Sequence, residues 1–118
     1  MAAEKNFENK VKQFIDSVDG WYIKYWAGAK YTKDGIPDIL ACIKGRFYGI
    51  EIKASNGRPK LLQLVMLKKI RAAGGIGILL YPKDFSAFKA LINRSEAGIE
   101  WYNENIKNQD EWFKKLSQ

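Results

Sequence analysis

Two short β-forming segments on either side of Lys44-Gly45 constrain this chain more than any other feature. Ile39, Leu40, Ala41, Cys42 and Ile43 form an apolar run after Asp38, while Tyr48, Ile50 and Ile52 alternate with Gly49, Glu51 and Lys53. Alternation with a period of two puts successive side chains on opposite faces of a strand, so Glu51 and Lys53 share one face. A two-residue turn at Lys44-Gly45 closes the segments into an antiparallel hairpin. Pairing outward from that turn brings the Asp38 end of the first strand beside the Glu51 to Lys53 end of the second. Two carboxylates and an ammonium then converge.

Such a trio suits metal-assisted phosphoryl chemistry. Two carboxylates can share a hard divalent cation that keeps several waters, as magnesium prefers. The cation lowers the pKa of a bound water and neutralises charge on a scissile phosphate, and a nearby ammonium orients the water or stabilises the transition state. A solvated strand face carrying an ordinary Glu/Lys pair has the same spacing, so spacing alone leaves both open.

Composition narrows the chemistry further. The 118 residues suffice for one domain, 1–118, built on a single sheet-and-helix core. Twenty Lys and Arg against thirteen Asp and Glu give a net charge of +7, the electrostatic footprint of a nucleic-acid binder or of a merely soluble surface. The chain has no His and a single cysteine, Cys42, which reads as a small core residue. That composition excludes a zinc site, a Ser-His or Cys-His nucleophile, a histidine general base and an intrachain disulfide. A hydrolase made from these residues must use carboxylates, Lys, Tyr and a metal, with no small-molecule cofactor. The longest apolar run, Ile76 to Tyr81, is far too short to span a membrane, and Met1 to Lys12 is charged rather than apolar. An intracellular, cytoplasmic protein without a membrane partner is expected.

Taken in order, Phe7, Val11, Phe14, Ile15 and Val18 recur at helical spacing, predicting a helix from Glu4 to Val18 with Glu8 at the border of its apolar stripe. Trp21 to Trp26 reads as the first strand, its two Trp and two Tyr serving sheet packing or base stacking. A loop from Ala27 to Gly35 either makes a simple turn or lays Lys30, Tyr31, Thr32 and Lys33 along a phosphate backbone. Ala54 to Lys60 is a turn-rich connection that adds Arg58 and Lys60 as candidate DNA contacts. A helix with a wide apolar face follows from Lys60 to Ala73, with Gln63 beside that face. Gly74-Gly75 ends it, and Ile76 to Tyr81 suits a central strand covered on both faces. Asp84 is placed to cap a short helix bearing Phe85, Phe88, Leu91 and Ile92. Ile99 to Tyr102 is read as an edge strand and Gln109 to Leu116 as a closing helix.

The arrangement Gly35-Ile36-Pro37-Asp38, a hairpin, then Ile50-Glu51-Ile52-Lys53 resembles the PD-(D/E)XK nuclease signature. The continuation Asn56-Gly57-Arg58-Pro59, Leu62-Gln63 and Arg71-Ala72-Ala73-Gly74-Gly75 is similar to the VRR-NUC family, whose small stand-alone members are often phage or prophage encoded. This likeness runs from Phe7 to Pro82. It implies an α/β fold with a mixed β-sheet flanked by helices, and a Mg2+-dependent endonuclease (Mn2+ substituting) that hydrolyses DNA phosphodiester bonds, selectively in branched DNA such as Holliday junctions. It implies that Asp38, Glu51 and the backbone carbonyl of Ile52 hold the metal, that Lys53 activates water or stabilises the transition state, and that Gln63 holds the attacking water or the phosphate. Nucleases of the Holliday-junction-resolvase type carry a glutamate in their first helix. Glu8 matches it, reaching the metal through water, with Glu4 one turn earlier as the alternative. One departure is visible: many relatives have Ser or Thr just before the helix that carries the Gln, where Pro59-Lys60 stands, which removes the usual N-cap. Two rivals remain: a non-catalytic DNA-binding module of this fold, and a nuclease without structure selectivity. Paired cuts in a junction require two sites, so a homodimer is expected. Trp101, Tyr102, Trp112 and Phe113 either fill the chain's own core or form the dimer interface.

Overall fold

The hairpin is the spine of the structure, a computed structural model that describes residues 2–26 and 33–118. Lys44 and Gly45 both adopt positive φ, 51° and 81°, as the two central positions of a type I′ turn require. Strands β2 (Ile39–Ile43) and β3 (Arg46–Ile52) leave this turn in the register Ile43↔Arg46, Ala41↔Tyr48 and Ile39↔Ile50. Helix α1 (Ala2–Ser17) precedes β1 (Trp21–Lys24), which pairs antiparallel with β2. After β3 come α2 (Leu61–Ala72), then β4 (Ile76–Leu80), which pairs parallel with β3. A 3-10 turn at Pro82–Asp84 leads into α3 (Phe85–Ile92) and α4 (Glu96–Leu116). The result is a mixed four-stranded sheet in the order β1-β2-β3-β4 with helices around it, the α/β architecture expected from the sequence.

Strand alternation divides the core in two. On one face Ile39, Ala41, Ile43, Tyr48, Ile50, Ile52, Ile78 and Leu80 meet Phe7, Val11 and Ile15 of α1 and Phe88, Leu91 and Ile92 of α3. On the other, Leu67 of α2 packs with Leu79, Tyr81 and the partly buried Trp112. Fully burying each of the Val, Leu, Ile and Phe side chains stabilises the fold by about 1.5–3 kcal/mol. No helix among the described residues is long and apolar enough to cross a membrane.

Several expectations are corrected. Ile99 to Tyr102 is not an edge strand: one continuous helix runs from Glu96 to Leu116, opened by Ser95, whose Oγ accepts the Gly98 N–H. β4 is not central but lies at the sheet edge, and α4 satisfies that edge with side chains. Asn105 accepts the Leu79 N–H and donates to the Leu79 carbonyl, Gln109 donates to the Gly77 carbonyl, and the Tyr102 hydroxyl accepts the Gly77 N–H. Residues three, four and seven positions apart on a helix face thus stand where a fifth strand would pair. Asp84 makes no side-chain cap to α3, which the 3-10 turn starts instead. Strand β1 stops at Lys24, and both Trp21 and Trp26 are exposed, at 63% and 68%, so neither packs in the core. Cys42 is exposed too, because it pairs between Trp21 and Phe47 on the outer face of the sheet. Trp101 and Tyr102 lie against the larger core and Trp112 against the smaller, so these aromatics fill the chain's own interior.

Candidate active site

The site begins where the β2·β3 ladder stops. Counting outward from a two-residue turn, every second pair exchanges both backbone hydrogen bonds, which makes Ile43↔Arg46, Ala41↔Tyr48 and Ile39↔Ile50 the bonded pairs. The next in the series sets Ile52 opposite Pro37, and proline has no N–H to give. Asp38 fills half of the vacancy: its Oδ2 accepts the Ile52 N–H at 2.8 Å. The Ile52 carbonyl is left without a ladder donor beside the Asp38 carboxylate, where the sequence likeness places a metal ligand. On its other side Asp38 is tied to β1, its backbone carbonyl accepting the Tyr25 N–H at 2.8 Å.

Glu51 and Lys53 are both buried, at 3% and 9% exposure, and the Lys53 ammonium lies 3.5 Å from Glu51 Oε2. Gln63 joins them. Its Oε1 accepts the Lys60 N–H at 2.8 Å, which turns its Nε2 toward Glu51 Oε2 at 3.0 Å. One amide therefore does two jobs. It supplies the reciprocal half of a capping box for α2, answering the loss of a Ser or Thr cap at Pro59-Lys60, and it fixes the Glu51 carboxyl in place. Burial, then the adjacent Asp38 carboxylate, pushes the Glu51 carboxyl from its ordinary 4.5 up to about 8, against the pull of Lys53. Near neutral pH it keeps its proton.

Glu8 stands one step away. It is 4% exposed and is reached from Asp38 through Lys24, whose Nζ lies 2.7 Å from Glu8 Oε1 and 3.3 Å from Asp38 Oδ1. Lys12 and Lys5 approach Glu8 Oε2 at 2.8 and 3.6 Å. Burial raises the Glu8 carboxyl, but Lys12 and Lys24 outweigh it and hold its pKa below the ordinary value. The same balance runs the other way at Lys24: burial lowers it, while Glu8 and Asp38 keep it above the usual lysine range. Glu4 takes no part in the ion pairs found among the described residues, so Glu8 is the first-helix glutamate of this cluster. Lys24 was not anticipated. Its signal was present, because alternation from Tyr22, which packs on the core, points Lys24 to the same inner face.

Asp38, Glu51, Gln63 and Lys24 line a cavity of about 630 Å³, walled by Lys60 and by Gly35-Ile36 and flanked at its mouth by Tyr25 and Trp26. Gly35, with φ 81°, passes so close to the Leu62 backbone that a Cβ would meet the Leu62 carbonyl oxygen at 2.7 Å; only glycine lets this wall form. Lys33 is exposed, its N–H donating to the Tyr25 hydroxyl at 2.8 Å. Lys30, Tyr31 and Thr32 lie outside the described residues. Arg58 is separated from the site: it faces a second cavity with Ser55, Lys83 and Trp112.

Among the described residues no three His, Cys, Asp or Glu side chains converge as a metal cage. The oxygens in this corner are the Asp38 and Glu51 carboxyls and the Ile52 carbonyl, to which Pro37 has no N–H to give, all hard donors. This set fits a magnesium-type ion, which binds through one or two carboxylates and retains waters, and does not fit a closed zinc site. The high Glu51 pKa marks a carboxyl that its own burial, and then the half-buried Asp38 carboxylate beside it, keeps from ionising. No protein-family model matches the chain, and no curated protein matches it at a significant level.

Proposed function

We propose that this protein is a divalent-metal-dependent endonuclease that hydrolyses DNA phosphodiester bonds, a phage-type nuclease of the VRR-NUC kind within the PD-(D/E)XK fold. One observation carries this: Asp38, Glu51 and Gln63 open into a single cavity, with Asp38 holding the Ile52 N–H and Lys53 held 3.5 Å from Glu51. A bound Mg2+ or Mn2+ supplies Lewis-acid stabilisation of charge on the scissile phosphate. The chain's own residues do the rest. Asp38, Glu51 and the Ile52 carbonyl bind the ion, and Lys53 places an ammonium where charge develops at the transition state. Gln63 orients Glu51 and offers an amide to the attacking water, and the net charge of +7 draws a polyanion to the cavity. Branched DNA is the proposed substrate, cut by a twofold pair of chains, since paired cuts need two sites. Trp101, Tyr102 and Trp112 pack against the chain's own cores, which favours an interface elsewhere on its surface.

Purified protein is offered four-way junction, flap, single-stranded and linear duplex DNA with Mg2+ or Mn2+. Junction cleavage that stops in EDTA and in Asp38→Ala is the expected outcome. Binding without cleavage would instead identify a non-catalytic DNA-binding module, and equal cleavage of every form a nuclease without structure selectivity.

A further inference from the structure

Asp38 has little to offer an incoming cation. One of its carboxylate oxygens is committed to the Ile52 N–H and the other faces the Lys24 ammonium at 3.3 Å. Lys24 has few other places to go: its side chain is 17% exposed and its ammonium is shared with Glu8 Oε1 at 2.7 Å. Around Glu8 and Asp38 the ammonium groups of Lys5, Lys12 and Lys24 oppose two carboxylates, so cations already outnumber carboxylates there. A divalent ion held about 4 Å from an ammonium loses roughly thirtyfold in affinity even under water's full screening.

Resting on the nuclease assignment, we infer that Lys24 is a built-in counter-ion that keeps the metal affinity of the DNA-free protein low, and that Glu8 acts on the site only by drawing this ammonium away from Asp38. Glu8 is thereby a positioning residue rather than a metal ligand. Because Lys24 lines the cavity, a phosphate entering there gives the ammonium a second anion and frees the Asp38 oxygen. DNA and metal then bind cooperatively, and by linkage each raises the affinity for the other by the same factor.

The test measures Mn2+ binding to the folded, DNA-free protein by the electron paramagnetic resonance of free Mn2+, with circular dichroism melts to confirm folding. Lys24→Met is expected to bind Mn2+ about tenfold or more tightly than wild type, Lys24→Gln to repeat the gain, and Lys24→Arg, which keeps the charge, to stay at the wild-type value. Glu8→Gln is expected to weaken binding in the wild-type background and not in the Lys24→Met background. An oligonucleotide tightens Mn2+ binding in wild type and much less in Lys24→Met. Equal affinity of Lys24→Met, Lys24→Gln and wild type overturns the counter-ion role. Weakening by Glu8→Gln in both backgrounds overturns the positioning role, since Glu8 then touches the ion itself. A different result, no Mn2+ uptake by any of these proteins or uptake that Asp38→Asn leaves intact, removes the metal site and the nuclease assignment with it.

Discussion

Replacing Glu51 by glutamine should make the metal-free protein more stable at pH 8 and leave it nearly unchanged at pH 4.5. Folding moves the Glu51 carboxyl from its ordinary 4.5 up to about 8, burial being the main cause and Asp38 the second. The folded chain therefore holds a proton that the unfolded chain has released above pH 4.5. Stability from this group is fully present below pH 4.5 and is lost as pH rises toward 8. At about 1.4 kcal/mol per tenfold change in affinity, the full difference is on the order of 5 kcal/mol, most of it gone by pH 8. Glutamine keeps an acceptor oxygen for the Gln63 amide at nearly the same volume and carries no titrating proton, so it escapes the loss. Urea unfolding in EDTA, followed by circular dichroism at several pH values, should show wild type losing stability on the alkaline side while Glu51→Gln does not, the gap reaching about 3–5 kcal/mol at pH 8. Mg2+ at pH 8 should restore wild type, by mass action on the folded state, and not the variant. A gap that fails to widen between pH 4.5 and 8, or a variant less stable than wild type at pH 8, would refute the account of Glu51 as a buried carboxyl awaiting a cation.

Asp38→Ala and Glu51→Ala should each abolish Mg2+-dependent cleavage, and Asp38→Ala should also destabilise the fold by about 1–3 kcal/mol because the Ile52 N–H loses its acceptor; a gel cleavage assay and a thermal melt check the two parts. Lys53→Ala should lose cleavage at saturating DNA while keeping most of its affinity and a steep salt dependence, because one of twenty basic residues contributes little to phosphate binding; fluorescence anisotropy against salt checks this. Asn105→Ala should cost about 1–3 kcal/mol, since it strands both the N–H and the carbonyl of Leu79 at the sheet edge, with chemical denaturation as the measure. Light scattering during size-exclusion chromatography should give two chains per four-way junction for a catalytically dead variant, and one chain per junction would rule out the pair.

What the sequence determined by itself was mostly local. The alternation around Glu51, the apolar run after Asp38 and the Lys44-Gly45 turn specify the hairpin and its register, because side-chain direction in a strand and the φ values of a two-residue turn are set by near neighbours. That register alone was enough to bring Asp38 to Glu51 and Lys53. Helical spacing gave α1 and α2, and the glycine pair gave the end of α2. The tertiary structure decided the rest. Asn105 and Gln109 break the apolar periodicity of α4, so the segment reads as two pieces, yet their polar atoms are buried against the unpaired edge of β4, a partner more than 25 residues away. Cys42 belongs to an apolar strand whose outer face is left uncovered beside Trp21 and Phe47. Lys24 is an ordinary strand residue until α1 delivers Glu8 and β2 delivers Asp38 to either side of it, 16 and 14 residues distant. Periodicity records which way a side chain points; whether that direction ends in solvent, in a core or between two carboxylates depends on which distant element packs there.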